Sequence, residues 1–405
     1  MKINKKYIWL SILVFTLSWE STFAGQSLFG ISNKSLGLVR SSFSGTGLAR
    51  SFETAAGDTL QINYSNYALW SDLSRPSYSV KINYAAAFGD DGVTHNYFND
   101  IADFSGGYLV IPIMKRKLVL GMGLQPVTSM EQRIADSVHT NVKEDLLIRG
   151  GLSRVSLNIS YKVLSNFGIG LGYEYNFGKI LNQFHLDYSS ATEMIPLKFK
   201  YEYRFYGNGL VVSTFYKPFR NFIVGAVYRP VTTINARIQA ESSSAEVNKS
   251  QLKKISLPAQ YSFGISYSPT DRFAFGLDLQ YQDWQNEYKI NDQLAGDHFQ
   301  KYYRLGFGVE RRQSKKLFTK FTEELDYRFG LFYGRLNQNS NGNPIKEYGV
   351  SCGLSVPIQR FRSHVDLFLN IGRRGDLDQN AYQETFINVG LSISASEIWF
   401  VNYED

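Results

Sequence analysis

Five histidines, one cysteine and a row of closely spaced glycines are the residues of this 405-residue chain whose types could carry chemistry. The histidines are His95, His139, His185, His298 and His364; the first four fall in segments that read as loops, and no two stand at the spacing of a metal-ligand pair. Gly349-Val350-Ser351-Cys352-Gly353 has Gly-x-Ser-x-Gly spacing but lies inside an alternating run rather than at a strand-to-helix elbow, and no phosphate-loop lysine motif or Cys-x-x-Cys pair occurs, so no catalytic residues, metal site or cofactor are expected. Cys352 shares an alternating apolar face with Val350, Leu354 and Val356, which makes it a small hydrophobe rather than an activated nucleophile. Gly168, Gly170 and Gly172, in the run NFGIGLGYEYNFG, have the composition of a phosphate-cradling loop. Such a loop must open into a helix, whereas here Phe167, Ile169, Leu171, Tyr173, Tyr175 and Phe177 alternate with the glycines and Glu174 as in a strand. Glycines lined up on one face of a strand leave room for another segment to approach closely.

The elements that position these residues are strands with two unlike faces. Phe273, Phe275, Leu277, Leu279 and Tyr281 alternate with Ala274, Gly276, Asp278, Gln280 and Gln282, after a matching strand through Tyr261, Phe263, Ile265 and Tyr267 and a Ser-Pro-Thr-Asp turn. The same pattern recurs from Pro76 onward, giving about fourteen strands separated by alternating short turns and longer polar segments. The longer segments, read as external loops, are 87–105, 135–145, 179–197, 240–252, 291–298, 337–343 and 372–380. Aromatic residues at 15% with only 10 prolines favour long strands over helix or disorder. Most strands exceed the ~9–11 residues needed to cross a bilayer, so the pattern predicts an all-β transmembrane antiparallel barrel over 76–395 rather than a soluble sandwich.

Ahead of the barrel, Lys2, Lys5 and Lys6 precede an apolar stretch and Thr22-Phe23-Ala24 supplies small residues at the two recognition positions, which reads as a secretory signal over 1–24. The formal charge of +7 includes those three lysines and Glu20, leaving a mild +5 that carries no nucleic-acid signature. Residues 25–75 are rich in Ser, Gly, Ala and Thr without sustained alternation; they fit a periplasmic tail or a plug, and a plug gives Phe29, Phe43, Phe52, Tyr64, Tyr67 and Trp70 something to pack against. Inward charges such as Glu174, Asp278, Glu310 and Arg328 either serve a solute or pair with one another across the interior. A C-terminal extension covers 396–405.

The stretch Val224 to Glu287 resembles the FadL-type outer-membrane transport proteins: Ala226-Val227-Tyr228-Arg229-Pro230, Ser256-Leu257-Pro258, Phe263-Gly264-Ile265-Ser266-Tyr267 and Asp278-Leu279-Gln280-Tyr281-Gln282-Asp283-Trp284 follow in that family's order. Gly45-Thr46-Gly47 through Asn66-Tyr67-Ala68 looks like its hatch leading to an Asn-Pro-Ala element, with Tyr67 in place of the proline. The resemblance implies a fourteen-stranded barrel in the bacterial outer membrane, plugged by an N-terminal hatch, that passes hydrophobic compounds such as long-chain fatty acids, commonly through a lateral opening. It is not an enzyme on this reading. Candidate solute-contacting residues are Phe29, Phe43, Gly45, Gly47, Tyr64, Gly168, Gly170, Gly172, Glu174 and Asp278. Expected partners are hydrophobic small molecules or fatty acids, outer-membrane lipid and lipopolysaccharide. The alternative is a FadL-like barrel that binds proteins through its external loops, akin to the shuttle of the type IX secretion pathway.

Overall fold

The computed structural model describes residues 27, 29, 34–57, 61–92, 97–139, 142–188, 197–242, 251–314, 320–359 and 363–396; the expected signal and the extension beyond Ser396 lie outside them, as does His95. Fourteen antiparallel strands close into a barrel. In chain order they are β1 Ser77–Asp90, β2 Tyr97–Met114, β3 in two segments Leu118–Pro126 and Thr128–His139, β4 Val142–Leu164, β5 Phe167–Tyr188 and β6 Leu197–Phe219. There follow β7 (Phe222–Arg229 and Thr232–Ser242), β8 (Gln251–Leu257 and Gln260–Tyr267), β9 Phe273–Asp283, β10 Lys301–Arg311, β11 Asp326–Ser340, β12 Asn343–Gln359, β13 Ser363–Asp376 and β14 Tyr382–Ser396. Pairing of β1 with β14, from Ser77 opposite Ser396 to Asp90 opposite Gln383, closes the wall.

Alternation of side chains across the wall explains the closure. On β4 the outward Val155, Leu157, Ile159 and Tyr161 are exposed, while the inward Ser156, Asn158 and Ser160 are buried. Such a wall, apolar outside and polar within, is what a bilayer requires of a barrel.

The strands run farther than the periodicity predicts. Most of the stretches 87–105, 135–145, 179–197, 337–343 and 372–380 are strand rather than loop, which puts His185 inside β5 and His139 at the end of β3. Their inward residues turn apolar, as at Ile148, Ile180, Phe205 and Ile234, so the two-faced pattern fades although the backbone continues. At ~3.3 Å per residue and a tilt of ~40°, the 23 residues of β4 rise ~55–60 Å, about twice an apolar band of ~25 Å.

The described residues among 34–75 fill the lumen. They contain a two-residue strand Leu38–Val39, the helix α1 (Gly45–Arg50) and a 3-10 helix over Tyr67–Asp72. Ser44 caps α1 by accepting from the Gly47 N–H, and Asn66 caps the 3-10 helix by accepting from the Ala68 N–H. Ile62, Tyr64, Tyr67, Trp70 and Leu73 pack with the wall residues Tyr108, Val110, Val119, Val211 and Val227 in one apolar cluster.

Candidate functional site: the plugged lumen and the wall seam

The plug lies directly on the wall because the wall has no side chains there. Gly330, Gly308 and Gly276 face one another across β11, β10 and β9, and Gly264 faces Gly225 across β8 and β7. A Cβ on Gly308 would fall 1.8 Å from the Arg50 carbonyl oxygen, one on Gly306 1.8 Å from that of Ser51, and one on Gly225 2.2 Å from that of Thr54. The glycines singled out in β5 do the same for the 3-10 helix: a Cβ on Gly170 would meet the Ala68 nitrogen at 2.7 Å, and one on Gly168 would meet Ser71 Oγ at 3.1 Å. Gly172 faces Asn158 and Val211 of the neighbouring strands instead. Gly308→Ala is therefore expected to lift the Arg50 segment, at a cost of about 1–3 kcal/mol. Limited trypsin digestion should then cut after Arg50 while the barrel keeps its heat-modifiable gel mobility.

Polar ties fasten the plug in the middle and at its lower end. In the middle, Asp278 of β9 accepts from the Glu53 and Thr54 backbone N–H groups at 3.0 and 2.6 Å and from Thr54 Oγ1 at 3.0 Å. Glu53 in turn accepts from the backbone N–H groups of Ser44 and Tyr64 at 2.6 and 2.9 Å; burial pushes its carboxyl above the ordinary range. Glu310 of β10 receives Arg50 of the plug at 2.8 Å and Arg328 of β11 at 2.7 Å, all three side chains at most 3% exposed. Beside them Glu174 bridges Arg154 and Arg229 at 3.1 and 3.0 Å, and the Arg229 guanidinium lies 5.8 Å from the Tyr67 ring centroid. Tyr67 occupies the first helical position, where proline would also fit, but as a tyrosine it sets its hydroxyl 3.2 Å from that of Tyr108.

At the lower end Asp72 pairs with Lys162 of β4 and with Lys217 of β6. Burial alone would raise the Asp72 carboxyl, but the ammonium groups, Lys217 foremost, hold it below its ordinary value. A carboxylate with a lowered folded-state pKa contributes stability that is present above its unfolded value, ~3.9, and lost as pH falls through the folded one. Asp72→Asn should accordingly be less stable than the parent chain at pH 7, with the gap in denaturant midpoints closing as the pH is taken below ~3.9.

Above the plug the lumen is greasy. Leu36 of the plug, Met130, Ile148, Leu152, Ile180, Phe205, Ile234, Ile255 and Leu257 of the wall, and Trp284, Tyr288 and Phe299 from the segment between β9 and β10 are buried together. That segment folds inward as a cover: the rings of Tyr288 and Phe299 lie 4.6 Å apart, and the Tyr288 hydroxyl donates to the Lys34 carbonyl at 2.6 Å. Next to the cluster is a cavity of about 80 Å³ lined by Leu38, Val39, Arg40, Lys81, Arg304 and Arg374 among others.

The wall itself is interrupted beside Met130. Pairing of β2 with β3 runs from Gly107 opposite Leu124 to Met114 opposite Leu118 and goes no higher. Above it, among the described residues, β3 pairs with β4 on one side and on the other only with the plug, Leu38 opposite Ser129 and Val39 opposite Thr128. Among the described residues, the upper part of β2 pairs with β1 alone. The causes are local. Pro126 brings no N–H and Val127 sends its own to Leu152 O at 2.7 Å, while a bulge at Ser105 and left-handed Gly106 (φ 127°) bend β2 away. The closed part of the seam spans the eight residues of β2 from Gly107 to Met114 in seven pairs, ~20 Å of height against an apolar band of ~25 Å. Arg40 reaches across it from the plug to Asp103 and, at 3.1 Å, to Ser105 of β2.

The ten candidate residues divide by height. Phe43, Gly45, Gly47 and Tyr64 lie in the plug and three of them touch the wall: the Phe43 carbonyl accepts from Lys81 Nζ, Gly45 abuts Ser392 and Tyr64 donates to Ser79 Oγ at 3.0 Å, while Gly47 abuts Glu53 of the plug itself. Gly168, Gly170, Glu174 and Asp278 face the plug from the wall, Gly172 lies between strands, and Phe29 sits far above against Tyr382, ring centroids 6.5 Å apart. None of the ten lines the cavity. A lateral opening is implied by the resemblance but its place is not, although Gly106-Gly107, Pro126 and Gly150-Gly151 are strand interruptions readable in the sequence.

Solved structures share this architecture. A FadL homologue from Pseudomonas aeruginosa superposes with a TM-score of 0.61 at 12% identity over 89% of this chain and 99% of its own. The toluene transporter TbuX of Ralstonia pickettii matches with 0.58 at 13% over 87% and 98%, and the monoaromatic hydrocarbon channel CymD with 0.57 at 15% over 90% and 98%. Identities this low speak for the fold. No curated protein matches the chain. The family model BamG matches residues 3–404. With a FadL-type barrel, its lumen plugged and its wall open beside β3, this chain belongs to the BamG family.

Proposed function

We propose that the barrel resides in the bacterial outer membrane and lets hydrophobic compounds, of the class of long-chain fatty acids or monoaromatic hydrocarbons, pass from outside to the outer leaflet through the gap beside β3. The observation that carries this reading is the apolar upper lumen, whose member Met130 stands on the edge of the gap. A porin lumen is polar, whereas here each buried methylene of a solute gains ~0.8 kcal/mol. Two toluene and hydrocarbon channels among the similar folds point the same way. In the closed arrangement the segment between β9 and β10 and the Leu36–Arg40 segment are packed into the upper lumen, so passage requires both to move. Proteoliposomes carrying the barrel should take up labelled palmitate or toluene faster than protein-free vesicles; equal rates end this reading.

That tight filling favours a second reading, in which the barrel is a protein-binding component and transports nothing. Glu310, Asp278 and Asp72 all hold the plug down. A barrel that stays inert in uptake but copurifies stoichiometrically with a defined exported or membrane partner would decide for it.

A further inference from the structure

The gap leaves two strand edges facing each other, and a hydrocarbon solute cannot satisfy them. On the β2 side the backbone of Tyr97–Gly106 pairs with β1 alone, and on the β3 side that of Met130–His139 pairs with β4 alone, among the described residues. Phe98 and Phe104 on this part of β2 are outward and exposed, so its lower portion lies at the level of lipid, where unpaired N–H and C=O groups are costly. At the bottom of the gap the chain already uses one remedy. The plug strand adds antiparallel to β3, the Arg40 N–H donates to the Val127 carbonyl at 2.9 Å, and the Arg40 side chain pairs with Asp103 of the opposite edge.

Above Arg40 the same needs recur without an occupant. Asp100 of β2 is 6% exposed, and while its Oδ2 accepts from Tyr84 at 2.9 Å, its Oδ1 has no hydrogen-bond partner. Gln132 of β3 is likewise buried, with its Oε1 unpartnered. Glu131, opposite Arg149 of β4, feels Asp103 and Asp100 across the gap. Two unpaired backbone edges and a surplus of carboxylates describe the complement of an extended, basic peptide.

We propose that the seam is a strand-addition site, in which an extended segment of a partner protein, with apolar residues and an arginine or lysine directed at Asp100, pairs with β3 as a continuation of the plug strand. Continuity with the plug pairing and charge complementarity select this occupant over lipid. Strand addition of this kind draws affinity from main-chain hydrogen bonds and specificity from alternate side chains.

The probe is a synthetic peptide with the sequence of residues 35–43, carrying an added terminal cysteine and a fluorophore. It is offered to the full barrel with Cys352→Ser and one new cysteine, Ala102→Cys at the seam or Leu331→Cys on the lipid-facing wall. Disulfide trapping should run at least tenfold faster at position 102 than at 331. It should fall severalfold when the peptide arginine is glutamate, and likewise with Asp100→Asn in the barrel. Equal trapping at both positions, no trapping at 102 in a barrel of normal heat-modifiable mobility, or indifference to the peptide's charge would overturn the inference. Uptake measured on the same preparations keeps it separate from solute passage, since a barrel that traps peptide but passes no palmitate retains this site and loses the transport reading.

Discussion

Glu310→Ala is expected to cost about 3–5 kcal/mol, the usual loss when one member of a buried ion pair is removed. The reason lies in how unequally its partners are served. Arg328 would keep Asp326 at 3.1 Å and Ser355. Arg50, from the plug, would keep one hydrogen bond among the described residues, to the Phe52 carbonyl at 3.1 Å, with the Phe52 ring beneath its guanidinium. The uncompensated charge thus falls on the plug side, and a desolvated guanidinium escapes by leaving. Urea titration should register the loss, with trypsin cleavage after Arg50 appearing well before the barrel loses its heat-modifiable mobility. Combining Glu310→Ala with Arg50→Met should recover part of the stability, because an apolar side chain of similar length asks nothing of the site. A single-variant loss under ~1 kcal/mol would mean that water reaches the pair as it reaches surface ion pairs.

How much of this was legible beforehand follows from the range of the signals. The strands that cross the bilayer announce themselves locally, because each residue reports its own face; the fourteen strands and the short lower turns come from that alone. The upper halves of β3, β4 and β5 do not, because there the inward residues are as apolar as the outward ones: Ile180 and Leu181 are consecutive and both buried. The glycines of β5 were readable as room for a close neighbour, and the structure supplies one in the 3-10 helix. The same reading extends to Gly225, Gly264, Gly276, Gly306 and Gly308, which stand in alternating runs like those of β5.

Partnerships were not legible at all. Glu310 meets Arg50 at a separation of 260 residues and Asp278 meets Thr54 at 224, and no local pattern encodes which charge crosses the lumen to which. The seam is intermediate. Its interruptions are written in the sequence, but a proline or a glycine pair marks only that a ladder breaks, and what enters the break is a tertiary fact.

Locking the plug strand to β3 is expected to abolish solute uptake. Val39 and Thr128 are direct cross-strand partners, and since the flanking Arg40 N–H bonds the Val127 carbonyl, they form the non-hydrogen-bonded type of pair, in which side chains approach most closely. Val39→Cys with Thr128→Cys, in a Cys352→Ser background, should therefore close to a disulfide without moving the backbone. Oxidised, the Leu36–Arg40 segment cannot leave the gap, so the apolar cluster around Leu36 and Met130 stays sealed and Arg40 stays against Asp103. Palmitate or toluene uptake into proteoliposomes should fall to the protein-free rate and return on reduction, while each single-cysteine variant transports normally. Lock-insensitive uptake would place the route elsewhere in the barrel. Arg40→Ala supplies the opposite perturbation: it cuts the tie to β2 but leaves the pairing to β3, and it should raise uptake. The two variants together test whether plug displacement and seam opening are a single event, since one segment holds both edges: β3 by its backbone and β2 by one guanidinium.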